Sequence, residues 1–155
     1  MGKCTEGIEN MKFYKVKNPC NPKEATAWKW FSKYIRLRDA IKTTGDMYYV
    51  KCITCGEVKP MEDIDAGHGI PGRNNSILFN EFITNAQCRT CNRKNKGEYQ
   101  KYKSVLIERH GQAMFDLWMF EKRKPLHYTD FDYEQLTKMY KEKVKRLKRE
   151  GLKNE

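Results

Sequence analysis

Two Cys-x-x-Cys pairs, Cys52-Ile53-Thr54-Cys55 and Cys88-Arg89-Thr90-Cys91, constrain this chain more than any other feature. Each pair sets two thiolates on one edge of a metal ion, and two pairs complete a closed tetrahedral site for Zn²⁺. A closed Cys₄ site has no open position, so its metal is structural and supplies folding energy. Gly56 allows the tight turn behind the first pair. Four unrelated buried cysteines would be the plainer reading, and the matched spacing argues against it. Cys4 and Cys20 have no ligand-spaced partner and are read as spare. A staple suits a chain of 155 residues, which can bury only a modest core.

The thiols are expected to stay reduced. The opening residues Met1-Gly2-Lys3-Cys4-Thr5-Glu6 carry no apolar stretch of a secretory signal, so an intracellular location is expected. Gly2 suggests myristoylation, but Glu6 stands where that pattern wants Ser or Thr. No stretch approaches the roughly 18 apolar residues of a membrane span. Lys and Arg outnumber Asp and Glu by 31 to 20, a net charge of +11. That surplus points to a polyanionic partner, nucleic acid first, over a merely solvated Lys-rich surface.

Three stretches follow from composition: an irregular segment over 1–20, a main body over 21–125, and a basic C-terminal helix over 126–155. Asn21-Pro22-Lys23-Glu24 predicts a helix start, with Asn21 as cap and Pro22 in the first turn, running to about residue 42. Its apolar stripe is Trp28, Phe31 and Ile35, with Trp30, Tyr34, Leu37 and Ile41 close by, and Arg36 and Arg38 are expected to face outward. Residues 47–91 alternate β-prone pieces such as Met47–Val50 with Gly, Pro and Asn clusters, 71–75 forming a loop. Helix is expected from about residue 90 to His110, stopped by Gly111. A short helix with Phe115, Trp118 and Met119 ends before Lys124-Pro125. Asp130 or Asp132 is expected to cap a last helix with Leu136, Met139, Tyr140, Val144 and Leu147 on one face. Its other face carries Lys138, Lys141, Lys143, Lys145, Arg146, Lys148 and Arg149. The expected fold class is α+β: a small ββα-metal core with a Cys₄ zinc site, flanked by helices.

The stretch between the cysteine pairs holds Asp63-Ile64-Asp65-Ala66-Gly67-His68, a loop, and Asn85; Asn92 follows Cys91. A His ending one strand, an Asn in the loop and an Asn early in a helix resemble the HNH (ββα-metal) pattern. Cys88-x-x-Cys91-Asn92-Arg93-Lys94 resembles the zinc-bearing HNH endonucleases. More narrowly, the run Ala27–Asp39, Cys52-x-x-Cys55-Gly56, Asp65-Ala66-Gly67-His68, Phe79-Asn80-Glu81 and Gln87-Cys88-x-x-Cys91-Asn92 resemble the NinG (Rap) recombination proteins of lambdoid phages. The likeness covers about residues 25–111. It implies a divalent-metal-dependent endonuclease that cuts branched DNA, such as Holliday junctions and D-loops, in phage recombination.

On that resemblance His68 is the expected general base, a role that neutral imidazole fills near physiological pH. Asn92 is the expected ligand of a catalytic Mg²⁺ or Mn²⁺, which would stabilise the leaving oxygen. Asn85 is expected to pin the loop and orient His68. One departure stands out: most HNH enzymes carry Asp directly before the catalytic His, and here that residue is Gly67. Asp65, on the same strand face as residue 67, is the first substitute ligand, with Glu81 and Asp63 behind it. Arg73, Arg89, Arg93, Lys94 and Lys96 are expected to contact phosphates, positioning DNA without reading bases. His110 is read as a helix-end cation and His127 as a loop residue. A two-fold homodimer is expected, because resolving a junction takes two cuts; the Trp28–Ile35 and Leu136–Leu147 stripes could supply its interface, or could simply close the core of one chain. Two rivals remain: a sequence-specific HNH nuclease of restriction or homing type, and a non-catalytic zinc-knuckle nucleic-acid binder.

Overall fold

The computed structural model describes residues 21–72 and 75–151, with Asn75 described by its backbone alone. Cys4, Cys20 and Arg73 lie outside the described residues. The chain is α+β: among the described residues five α-helices accompany two antiparallel two-stranded hairpins.

Helix α1 (Pro22–Thr44) begins as the sequence predicts. Asn21 Oδ1 accepts from the Lys23 amide at 2.9 Å, and Pro22 opens the first turn, where its missing N–H costs nothing. The last helix, α5 (Asp130–Gly151), is capped differently from expectation. Thr129 Oγ1 accepts from the Asp132 amide, and Asp132 accepts back from the Thr129 amide at 2.7 Å. Thr129 is thus the cap, and Asp132 supplies the reciprocal half of a capping box.

Helices α1 and α5 run side by side in the same direction. Lys23 pairs with Asp130 and Glu134 near their starts, and Phe31 meets Tyr140 edge-on, ring centroids 5.0 Å apart. Their two apolar stripes bury each other, with Phe79 and Tyr133 completing the cluster. The stripes that were candidates for a dimer interface are therefore spent within one chain.

Hairpin β1 (Tyr49–Lys51) with β2 (Val58–Pro60) carries the first cysteine pair in its turn. The second hairpin joins β3 (Ile64–His68) to β4 (Thr84–Cys88) through a loop that includes the one-turn helix α2 (Asn75–Leu78). Its register sets Asp65 opposite Gln87, Gly67 opposite Asn85, and His68 opposite Thr84.

The helix expected from residue 90 to His110 is broken. A five-residue helical turn (Thr90–Lys94) is followed by left-handed backbone at Lys96, Gly97 and Glu98, φ 53°, 87° and 49°, before α3 (Tyr99–His110) begins. Left-handed φ at a side-chain-bearing residue costs on the order of 1 kcal/mol. What the kink secures is specific: the Gly97 carbonyl accepts from buried Gln87 Nε2 at 2.8 Å, and the Gly97 amide donates to Cys91 O. Helix α4 (Gln112–Glu121) follows and packs Phe115 and Trp118 against Ile70, Ile77 and Ile83.

Arg36 and Arg38 do not project freely from α1; both are half-buried. Arg38 donates to the carbonyls of Glu81 and Thr84 at 2.8 and 3.0 Å. It also pairs with Asp39, which is buried and accepts from the Ala86 amide at 2.6 Å. These two charges bolt α1 to strand β4.

Candidate functional site

The four cysteines of the two pairs come together, with all four Sγ atoms within 4.8 Å of one another. Cys55 and Cys88 Sγ are 3.9 Å apart. A tetrahedral Zn–S distance of about 2.3 Å calls for sulfur edges of about 3.8 Å, so the cluster fits zinc. Backbone turns support the charge. The Cys88 amide donates to Cys52 Sγ at 3.3 Å, and the Cys91 amide to Cys88 Sγ at 3.5 Å. Burial pushes the Cys52 thiol up, but donors from Cys55, Cys88 and Thr54 outweigh it and bring it down to about 6. Burial and the neighbouring sulfurs hold Cys91 up at about 12. Four thiolates cannot coexist there without a cation, and a bound metal removes that conflict. Gly56 turns behind the first pair at φ +75°, as its place in the sequence requires.

Strand β3 distributes the predicted catalytic residues over two faces. Alternation sends Asp65 and Gly67 one way, Ala66 and His68 the other. His68 lies on the α1 side, stacked on Trp28 with ring centroids 5.2 Å apart and planes 18° from parallel. Its Nε2 is 3.0 Å from the Leu78 carbonyl. A carbonyl only accepts, so Nε2 carries the proton; in neutral imidazole Nδ1 then bears the lone pair. Trp28 and Leu78 thus set both the plane and the tautomer of this ring, and neither role is readable from the sequence.

Asp65 and Asn92 also meet, as the sequence predicts: Asn92 Nδ2 donates to Asp65 Oδ2 at 3.0 Å. Arg93 joins them, with Nε and Nη2 each 2.7 Å from an Asp65 oxygen, a bidentate pair. The expected phosphate contact is therefore, in this structure, the counter-charge of the expected metal ligand. Gly67 is explained by its neighbour. A Cβ there would lie 2.3 Å from Gln87 Oε1, so no side chain fits before His68. Gln87 Oε1 is buried without a hydrogen-bond partner among the described residues.

Asn85 pins the loop, donating to the Phe82 carbonyl at 3.2 Å and accepting from Arg38 at 3.3 Å. Asn80, a residue the sequence reading did not single out, does as much. Its Oδ1 accepts from the amides of Phe82 and Ile83 at 2.9 and 3.4 Å. The signal for it was there, an Asn two residues before the backbone it ties, the spacing of an Asx turn.

The other acids serve different partners. Glu81 accepts from Tyr34 and Tyr140 hydroxyls at 3.1 and 3.0 Å and pairs with Lys143. Burial alone would raise its carboxyl, but Lys143 and the two hydroxyls hold it below the usual range. Lys143, expected on the basic outer face of α5, turns inward for this pair. Asp63 faces Arg89 at 3.6 Å. Lys94 and Lys96 are exposed beside the site. His110 packs against Phe82 and Trp118 rather than standing as a helix-end cation. Burial, Arg109 and Lys42 hold it below the usual histidine range. His127 is exposed.

Among the described residues no helix is long and apolar enough to cross a membrane. A family model described as Bacteriophage Lambda NinG protein matches residues 9–150. No curated protein and no solved structure matches the chain. A match over nearly the whole chain shows the family: this protein belongs to the NinG family of phage recombination proteins.

Proposed function

We propose that this NinG-family chain is a structure-selective, divalent-metal-dependent DNA endonuclease that hydrolyses phosphodiesters in branched DNA, acting in the cytoplasm of the phage's host. In this reading β3, β4 and the helical turn after them form a ββα-metal unit of HNH type. The observation that carries it is the setting of His68: a ring at the end of β3, held by stacking on Trp28, with Nε2 fixed as donor to the Leu78 carbonyl.

The chemistry balances on this chain's residues. His68 Nδ1 takes a proton from water as the oxygen attacks phosphorus, and the bond from phosphorus to the departing oxygen breaks. The departing oxygen takes up a proton from solvent, and the imidazolium loses its own proton to solvent. Asp65 and Asn92 supply oxygen donors suited to a hard cation, and the unpartnered Gln87 Oε1 lies across the strand pair from Asp65. Bound there, Mg²⁺ or Mn²⁺ would neutralise charge on the phosphate and the leaving oxygen. Arg93 would give up Asp65 for a phosphate oxygen, since both anions suit its bidentate fork. Arg89, Lys94 and Lys96 add contacts that hold the backbone without reading sequence. Two chains acting as a two-fold dimer would deliver the paired cuts a four-way junction needs.

One observation favours a second reading, a non-catalytic zinc-knuckle DNA binder. Asp65 is covered on both oxygens by Arg93 and lies on the strand face opposite His68. The test is an end-labelled four-way junction beside a linear duplex of matched sequence, each with Mg²⁺, with Mn²⁺ or with neither. The proposal expects metal-dependent cuts near the branch point and little cleavage of the duplex. Junction binding without cleavage in either metal supports the second reading, and fixed cuts in the linear duplex support a sequence-specific nuclease.

A further inference from the structure

The net charge of +11 is not spread evenly. Lys29, Lys33 and Arg36 lie at i, i+4 and i+7 on α1, and Lys141, Lys145 and Lys148 repeat that spacing on α5. Such spacing gathers side chains on one helix face. Because α1 and α5 run in parallel, the two rows lie side by side.

Trp30 joins them. Its ring carries Lys33 Nζ at 5.2 Å and Lys141 Nζ at 5.4 Å from the centroid. Two ammonium groups on one indole are held by its negative face. The rows also feel each other: Lys148, Arg36 and Lys29 add to burial in holding Lys33 below the usual lysine range. Among the described residues only Lys145 of the six has an ion-pair partner within 4.0 Å, Glu142 on the same helix. Unneutralised charge of one sign, ordered rather than splayed, is a site for an anion with repeated charges.

The ridge is continuous with the site already described. Arg36, half-buried at the end of the α1 row, lies within electrostatic reach of Asp65 and Arg89. Seven residues of helix span roughly 10 Å. That is about the rise of three phosphates along one strand.

We propose that the α1/α5 ridge is a second DNA-binding surface, a strip that grips the phosphate backbone of one duplex arm and leads it through Arg36 to the hairpin site. The inference rests on the DNA half of the proposed function and not on its catalytic half. The ridge gives the protein a way to hold a branched substrate by its backbone: the site takes the branch, and the ridge takes an arm.

The test measures binding alone. Full-length, zinc-loaded protein is titrated into a fluorescent four-way junction with no Mg²⁺ or Mn²⁺, across about 50–200 mM salt. The variant replaces Lys33, Lys141 and Lys148 together by Gln. Each phosphate contact contributes about 0.9 to the slope of log affinity against log salt, so the slope falls by about 2–3 and affinity on the order of 10²-fold. The Arg triple at the same positions keeps the wild-type slope, and a Lys101→Gln, Lys103→Gln control on α3 changes little. Unchanged zinc content and melting temperature separate the effect from unfolding. Wild-type slope and affinity in the Gln triple would overturn the ridge, as would an equal loss in the α3 control. Tight, ridge-dependent binding by a protein that never cleaves would sink the nuclease reading and leave the ridge standing.

Discussion

The zinc-knuckle hairpins and the α1/α5 helix pair solve the same problem with different means. The helix pair is built on aromatic burial: Phe31 of α1 and Tyr133 and Tyr140 of α5 close around Phe79 from the β3–β4 connection. The hairpins have strands of three to five residues, and around the cysteines they bury only Val50, Ile64 and Ala86, with Ala40 of α1. Such a core is too thin to offset the entropy of ordering it. Side chain–backbone hydrogen bonds, and the metal that the four cysteines could hold, would stand in for it. In the proposed reading the two regions also divide function. The hairpins position His68, Asp65 and Asn92, which in the proposed reading act on the scissile phosphate. The helices offer a long basic face that in the inferred reading binds the arm.

The difference predicts that losing the metal breaks one region and spares the other. Cys88→Ser should abolish zinc retention and disorder the hairpins, removing much of the roughly 10 kcal/mol that structural zinc supplies. The helix pair should keep most of its far-ultraviolet helical signal. Metal analysis with circular dichroism checks this, and a folded, zinc-free protein would undo the contrast.

A smaller effect is expected where the regions join. Arg38→Ala leaves buried Asp39 without its partner and the Glu81 and Thr84 carbonyls without a donor. Breaking a buried charge pair from one side costs about 3 kcal/mol or more. Urea unfolding should register that loss, and a change below about 0.5 kcal/mol would mean that α1 and β4 are held by other contacts.

Glu81→Gln should cost about 2 kcal/mol, the scale of hydrogen bonds to a charged group. Its sign with pH is set by the depressed carboxyl. The stabilisation is full above the ordinary glutamate value of 4.5 and is lost as pH falls through the lower folded value. Wild type and variant should therefore differ at neutral pH and converge at acid pH. A difference that grows on acidification would contradict the ion pair with Lys143.

How much of this was legible depends on what kind of signal each residue carries. The zinc cluster was plain because ligand spacing is local, and the start of α1 because Asn21 and Pro22 act within one turn. The meeting of Asp65 with Asn92 was expected, and the resemblance to the NinG proteins is matched by the family comparison. Charged residues misled. Arg38 and Lys143 sit in polar surroundings and read as solvent-facing, yet each turns inward to partners distant in sequence, while Arg36 is half-buried and bonds the Ser32 carbonyl one turn back. The break at Lys96–Glu98 was invisible because its cause is tertiary: Gln87 needs the Gly97 carbonyl. The α1 and α5 stripes looked available for a second subunit because sequence cannot say that they face each other. The Arg93 clamp on Asp65 was hidden for a related reason, since a basic residue in a DNA-directed chain reads as a phosphate contact first.

The division of labour between the two regions can be measured in one experiment. Wild type, His68→Ala and the Lys33/Lys141/Lys148→Gln triple are each bound to a labelled four-way junction without divalent metal. Cleavage is then started with Mg²⁺ or Mn²⁺ at saturating protein. His68→Ala should bind as wild type does and lose about 10²–10⁴-fold in cleavage rate, the range for removing a general base. The triple should bind weakly and, once saturated, cleave at the wild-type rate. Wild-type cleavage by His68→Ala would contradict the account at its centre.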